Sequence, residues 1–109
     1  SREYLYVDDA ARAIVMAAES HEGTDPINLG TDREITIRET AETIAKVTGF
    51  AGELKWDATK PDGQPRRRID PAHAHDTLGW RAEMNFEQGL RNTVDWYLAN
   101  RAHAEQAPR

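Results

Sequence analysis

Arg2-Glu3-Tyr4-Leu5-Tyr6-Val7-Asp8-Asp9 stands at the head of the chain and decides how the rest is read. The residues up to Val7 are aromatic and β-branched enough for a short strand. Asp8 or Asp9 can then cap a helix by accepting bonds from the orphan amides of its first turn. That helix is expected over residues 10–20, with Ala10, Ala13, Ile14, Ala17 and Ala18 on one stripe. Small residues on the contact face suit close packing on a sheet, and they equally suit a helix that rests on something larger.

Moving outward, Pro26-Ile27-Asn28-Leu29-Gly30 reads as a second short strand ended by glycine. Thr36-Ile37-Arg38-Glu39 is a capping box: the Thr36 hydroxyl takes the third amide while Glu39 reaches back to the cap amide. The helix it starts runs through Ile37, Ala41, Ile44 and Ala45 to Thr48, and Gly49 supplies the stop. Glu53-Leu54-Lys55-Trp56 reads as a third strand. Asp70 caps a third helix with Pro71 at the first helical position, where no amide is needed. Gly79 ends that helix, with Trp80 just beyond. Asn85 and Gln88 can cap a fourth helix over residues 86–102, whose buried stripe is Phe86, Leu90, Val94, Tyr97 and Leu98. Trp96 falls off the stripe. The pattern predicts an α/β lobe with short strands and about four helices, one unit over residues 1–102 with a frayed tail over 103–109.

Between the third strand and the third helix lies Lys60-Pro61-Asp62-Gly63-Gln64-Pro65-Arg66-Arg67-Arg68. It carries four of fourteen basic residues in a 109-residue chain of net charge -5. Two prolines limit its freedom, so little entropy is lost when it meets a ligand. Gly63 permits a positive φ or a close backbone approach. The arginines offer forked donors suited to phosphate oxygens, and Asp62 can accept from hydroxyls or amides. A solvated surface turn has the same composition, and both readings stand on the residues alone.

Other signals exclude more than they assign. With no cysteine the chain has no disulfide, thiolate metal site or cysteine nucleophile. No apolar run is long enough to cross a membrane, and Ser1-Arg2-Glu3-Tyr4 does not resemble a signal peptide. A pI near 5.3 argues against general nucleic-acid binding. His73 and His75 do not share a helix face, and His21 and His103 have no partners at motif spacing, so no metal site is expected. Gly49 and Gly52 begin a glycine-rich spacing that ends at Lys55, and Tyr4, Tyr6 and Tyr97 lead four residues on to Asp8, Ala10 and Arg101 rather than to lysine. Neither a dinucleotide cradle nor a Tyr-x-x-x-Lys pair is present.

Three segments together resemble the extended short-chain dehydrogenases/reductases, the NAD-dependent epimerase/dehydratase family. They are Arg2 to Asp9; Ile27-Asn28-Leu29-Gly30-Thr31 with Thr36-Ile37-Arg38-Glu39; and the basic loop with Asp70, Leu78-Gly79-Trp80 and the Gly89-Leu90 helix. The loop is most like that of the GDP-L-fucose synthases, which often have His where Tyr6 stands. The resemblance runs from Arg2 to Asn100 and implies the C-terminal substrate-binding portion, without the Rossmann domain. It implies a cytoplasmic parent enzyme that epimerises C3 and C5 of a GDP-4-keto-6-deoxy sugar and reduces C4 with NADPH. NADP and the catalytic Ser, Tyr and Lys would belong to a part ahead of Ser1, so no catalytic, cofactor or metal residue is assigned here and whether this chain alone is an enzyme stays open. Substrate binding is implied for Arg2 at the diphosphate and Asp62 at the nucleotide end, with Lys60 and Arg66 at the same site. The implied partners are a GDP-sugar and the Rossmann domain or another copy of the chain. A homo-oligomer is expected, with no nucleic acid and no membrane. A stand-alone interaction module that kept the lobe's fold and lost its chemistry is the alternative.

Overall fold

The computed structural model describes residues 1–106 as five helices: α1 Val7–Ser20, α2 Ile37–Thr48, α3 Ala72–Leu78, α4 Phe86–Ala99 and α5 Arg101–Gln106. They pair in two layers, α1 against α3 and α2 against α4, with α5 folded onto the end of α4. The local stop and start signals act as expected, with one exception. Thr36 and Glu39 close the capping box of α2. Asn85 accepts the Gln88 amide at 2.8 Å, whereas at α3 Pro71 takes the cap position instead of the first helical one, and Asp70, one residue ahead of the cap, accepts the Ala72 amide at 2.9 Å. Gly49 and Gly79 end their helices at φ 73° and 70°, a conformation that costs a side-chain-bearing residue.

The expected strands do not form. Among the described residues the pairing is a single isolated bridge, Arg2 with Ile35, made of two backbone bonds of 2.8 and 2.7 Å. Residues 2–7, 26–30 and 53–56 have the side chains of strands, but a ladder needs a neighbour running alongside for several residues, and none does. Val7 instead opens α1, three residues earlier than expected, and Tyr6 takes the cap position without a side-chain bond. Asp8 and Asp9 are therefore not caps. They lie in the first turn, where negative charge opposes the helix's positive end. Helix α4 stops at Ala99 instead of continuing to residue 102, and the segment expected to fray carries α5 as far as Gln106. Residues 107–109 of that tail lie outside the described residues.

Asp9 has a second role that holds the α1–α3 layer together. It is only 5% exposed. Its carboxylate accepts the amides of Glu83 and Met84, each at 3.1 Å, and the Arg12 guanidinium at 3.0 Å. Burial pushes this carboxyl up, but the Met84 and Glu83 amides and the Arg12 charge outweigh it and hold the group below the ordinary carboxylate range. Its backbone carbonyl accepts the indole N–H of Trp80 at 2.9 Å. Trp80, Ala13 and Ala74 form the fully buried core, with Leu5, Met16, Ile27, Leu29 and Leu78 against it.

That core is small. A self-contained monomer of this mass exposes about 6,100 Å², whereas this chain exposes 8494 Å². Its radius of gyration is 16.7 Å, against about 13 Å for a compact domain of this length. The surplus surface is partly apolar. On α1 the side away from α3 bares Val7, Ile14 and Val15, at 67, 65 and 55% exposure, so Ile14 is not the core residue the stripe predicts. On α4 the end of the expected stripe, Tyr97 and Leu98, is likewise exposed.

Candidate functional site

Arg2 and the basic loop, sixty residues apart in sequence, meet. The bridge to Ile35 fixes the Arg2 backbone, and its Nη1 donates to the Gln64 carbonyl and to its own neighbour Ser1, both at 2.7 Å. Gly63 matters here for closeness rather than for φ: a Cβ at that position would sit 3.3 Å from the Arg2 guanidinium. Pro65 offers its carbonyl to the Ser1 amino group at 2.7 Å. Lys60 and Asp62 lie on the exposed tip of the same loop.

Arg66 is placed differently. Its Nε and Nη2 fork onto the two oxygens of Glu34 at 2.5 and 2.7 Å. The pairing with Arg66 holds the Glu34 carboxyl below the ordinary range and pushes the guanidinium further up. Arg68 pairs with Asp32. The two pairs share one register: as the loop runs from Arg66 to Arg68, its partners run back from Glu34 to Asp32. The two segments thus run in opposite directions with alternate residues paired, though Asp32 takes a left-handed φ of 59° and no ladder hydrogen bonds form. Glu3 closes the far end, accepting the Thr31 amide at 2.5 Å and the Ile69 amide at 3.1 Å.

Glu3, Asp32 and Glu34 are the members that the sequence reading missed. Two acids two apart facing two arginines two apart is a visible signal, but only once the segments are known to be neighbours. An open cleft of about 740 Å³ is lined by Asp32 and Arg68 but by none of Arg2, Lys60, Asp62 and Arg66. Its arginines, Arg33, Arg68 and Arg81, are balanced by Asp32, Asp70 and Asp76, so its charge does not select an anion. A smaller apolar groove of about 310 Å³ separates Tyr4–Val7 from α4. Among the described residues no group of His, Asp or Glu could hold a metal ion.

Residues 1–93 match the family model described as GDP-mannose 4,6 dehydratase. The chain is 46% identical over 99 residues to GDP-L-fucose synthase 1 of Arabidopsis thaliana, covering 91% of this chain and 30% of that protein. It is 46% identical over 108 residues to GDP-L-fucose synthase of Escherichia coli, covering 91% of this chain and 33% of that one. Among solved structures, a GDP-L-fucose synthetase from Naegleria fowleri bound to NADP superposes with a TM-score of 0.85 at 30% identity, over 99% of this chain and 33% of that one. The Bordetella bronchiseptica enzyme WbmF, in complex with NAD+ and UDP, gives 0.81 at 30% identity, over 96% and 32%. The chain thus spans about a third of the length of the curated relatives it matches. A match over most of its length, with the same fold in the solved relatives, places this chain in the GDP-mannose 4,6 dehydratase family of NAD-dependent epimerases and dehydratases.

Proposed function

We propose that this chain is the nucleotide-sugar-binding lobe of an NADP-dependent epimerase/reductase of the GDP-L-fucose synthase type. Arg2 meets the diphosphate, Asp62 the nucleotide end, and Lys60 and Arg66 serve the same site. The observation that carries the reading is the hydrogen bond from Arg2 to the Gln64 carbonyl, which ties the arginine suspected at the diphosphate to the backbone of the basic loop. The relatives named for GDP-L-fucose synthesis support GDP as the nucleotide.

The residues present do not fit NADP. Among the described residues there is no strand, glycine turn and helix in succession, and Gly49 and Gly52 follow a helix end instead of opening one. Cofactor and catalytic groups therefore belong to a separate domain that covers the bare apolar side of α1, in a cytoplasmic enzyme. This chain's share of the work is to bind and orient: a cationic edge holds the diphosphate so that the sugar faces the chemistry supplied elsewhere.

Calorimetric titration with GDP tests the reading. Binding is expected to weaken with salt, and Arg2→Ala or Asp62→Ala is expected to cost about 10-fold or more in affinity. A wild-type chain that gives no heat at millimolar GDP would sink it. The exposed Val7, Ile14 and Val15 favour a second reading, a non-catalytic self-association module. Light scattering that finds a tight oligomer indifferent to GDP would select that one.

A further inference from the structure

The basic loop is held along only half its length, and the division falls inside the proposed ligand site. From Gln64 onward it is fastened to the frame at five points: the Gln64 carbonyl by Arg2, the Pro65 carbonyl by Ser1, Arg66 by Glu34, Arg68 by Asp32, and the Ile69 amide by Glu3. Lys60, Pro61, Asp62 and Gly63 make none of these bonds. Arg67, between the two clasped arginines, forms no ion pair among the described residues.

We infer that Glu34 is a positioning residue. It clasps Arg66 to the frame and so leaves Lys60 and Arg67, with the spare donors of Arg2, as the cations that meet a nucleotide diphosphate. This deepens the nucleotide-sugar reading and rests on it. Glu34 engages Nε and Nη2 of Arg66, two of its three guanidinium nitrogens, and the Glu34 side chain is only 24% exposed. Drawing Arg66 off toward a phosphate would leave that carboxylate unpaired beside a second anion, which two like charges at short range disfavour. Arg66 therefore acts on the ligand chiefly through the shape of the loop, with its Nη1 alone left to reach outward.

Two readouts on the full chain test this, one with nucleotide and one without. In GDP titrations across a range of salt, Glu34→Gln is expected to weaken binding about 3- to 5-fold, the size of effect that exposed ion pairs carry. Arg66→Ala should do the same, and the double variant should be no worse than either single one. None of the three should change the slope against salt, whereas Arg67→Ala should both weaken binding and flatten that slope. Tighter GDP binding by Glu34→Gln would overturn the inference, because it would mean that the carboxylate competes with the ligand for Arg66. The second readout is limited trypsin digestion without nucleotide. The wild-type chain should be cut after Arg67 in preference to Arg66. Glu34→Gln should open the Arg66 site several-fold, and Glu34→Asp should restore part of the protection. Equal cutting after both arginines in the wild type would refute the clasp even if GDP binds. If GDP does not bind, the nucleotide reading falls and the claim that Arg66 serves a ligand falls with it, while digestion still decides the clasp.

Discussion

Asp9 and Glu34 each take an arginine, Arg12 at 3.0 Å and Arg66 at 2.5 Å. Around Asp9 the neighbours are a buried tryptophan and two backbone amides from the far end of the chain. Around Glu34 they are a serine hydroxyl and a loop whose Lys60 and Arg67 form no ion pair among the described residues. Removing charge from the first leaves buried donors without a partner. Removing it from the second frees a guanidinium that water can solvate at once. The same pair of groups is thus a structural fastening in one place and an adjustable one in the other, and surroundings make the difference.

Trp80→Ala should show the largest effect. It empties the centre of a very small core and should cost about 3–5 kcal/mol, enough to unfold a lobe of marginal stability; urea denaturation followed by circular dichroism measures it. Asp9→Ala should come next, at about 3 kcal/mol, because Arg12 and two amides lose their acceptor. A loss under about 0.5 kcal/mol, the range of an ordinary surface change, would erase the contrast with Glu34. Gly30→Ala should follow at about 1–3 kcal/mol, the usual cost of overpacking. A Cβ there would stand 2.6 Å from both the Glu3 carboxylate and the Ile69 carbonyl, so it pries at the closed end of the loop.

Acid sharpens the same comparison. The carboxyls of Asp9 and Glu34 are both held below the ordinary range, so between the folded and unfolded values the unfolded chain binds more protons and stability rises with pH. Their contribution is complete above the ordinary carboxylate range and is lost as pH falls through the lowered folded values. Asp9→Asn should therefore flatten the acid limb of a stability-against-pH curve visibly. Glu34→Gln should leave that limb nearly as it was and alter the tryptic pattern of the loop instead.

Much of the helical plan could be read from local chemistry. The capping box at Thr36, the Asn85 cap and the glycine stops each depend on residues within four positions and work as the sequence implies, while the Asp70 cap is displaced by one residue because Pro71 takes its place. What failed was non-local. Tyr4-Leu5-Tyr6-Val7 has the composition of a strand, but composition cannot supply the neighbour a strand needs. Asp9 looked like a cap because capping is the nearest use of an aspartate before a helix, whereas its amides lie 74 and 75 residues away. At the site, Arg2 and the basic loop were legible as separate oddities of charge. Glu34 was not, because an acid beside a capping box has no feature that marks it as an arginine's partner until the chain folds back.

The Asp9 fastening also sets an order of events during synthesis. Within the lobe, helix α1 is made some seventy residues ahead of Trp80, Glu83 and Met84, which close its buried face, so its docking waits until they have emerged. Until then the Asp9 carboxylate and the face of α1 that meets Trp80 lack their partners. A nascent chain stalled with residue 79 just outside the exit tunnel should be cut by protease within α1, and one stalled beyond Met84 should resist. That face of the lobe is thus open to chaperones and to premature association until Met84 is made.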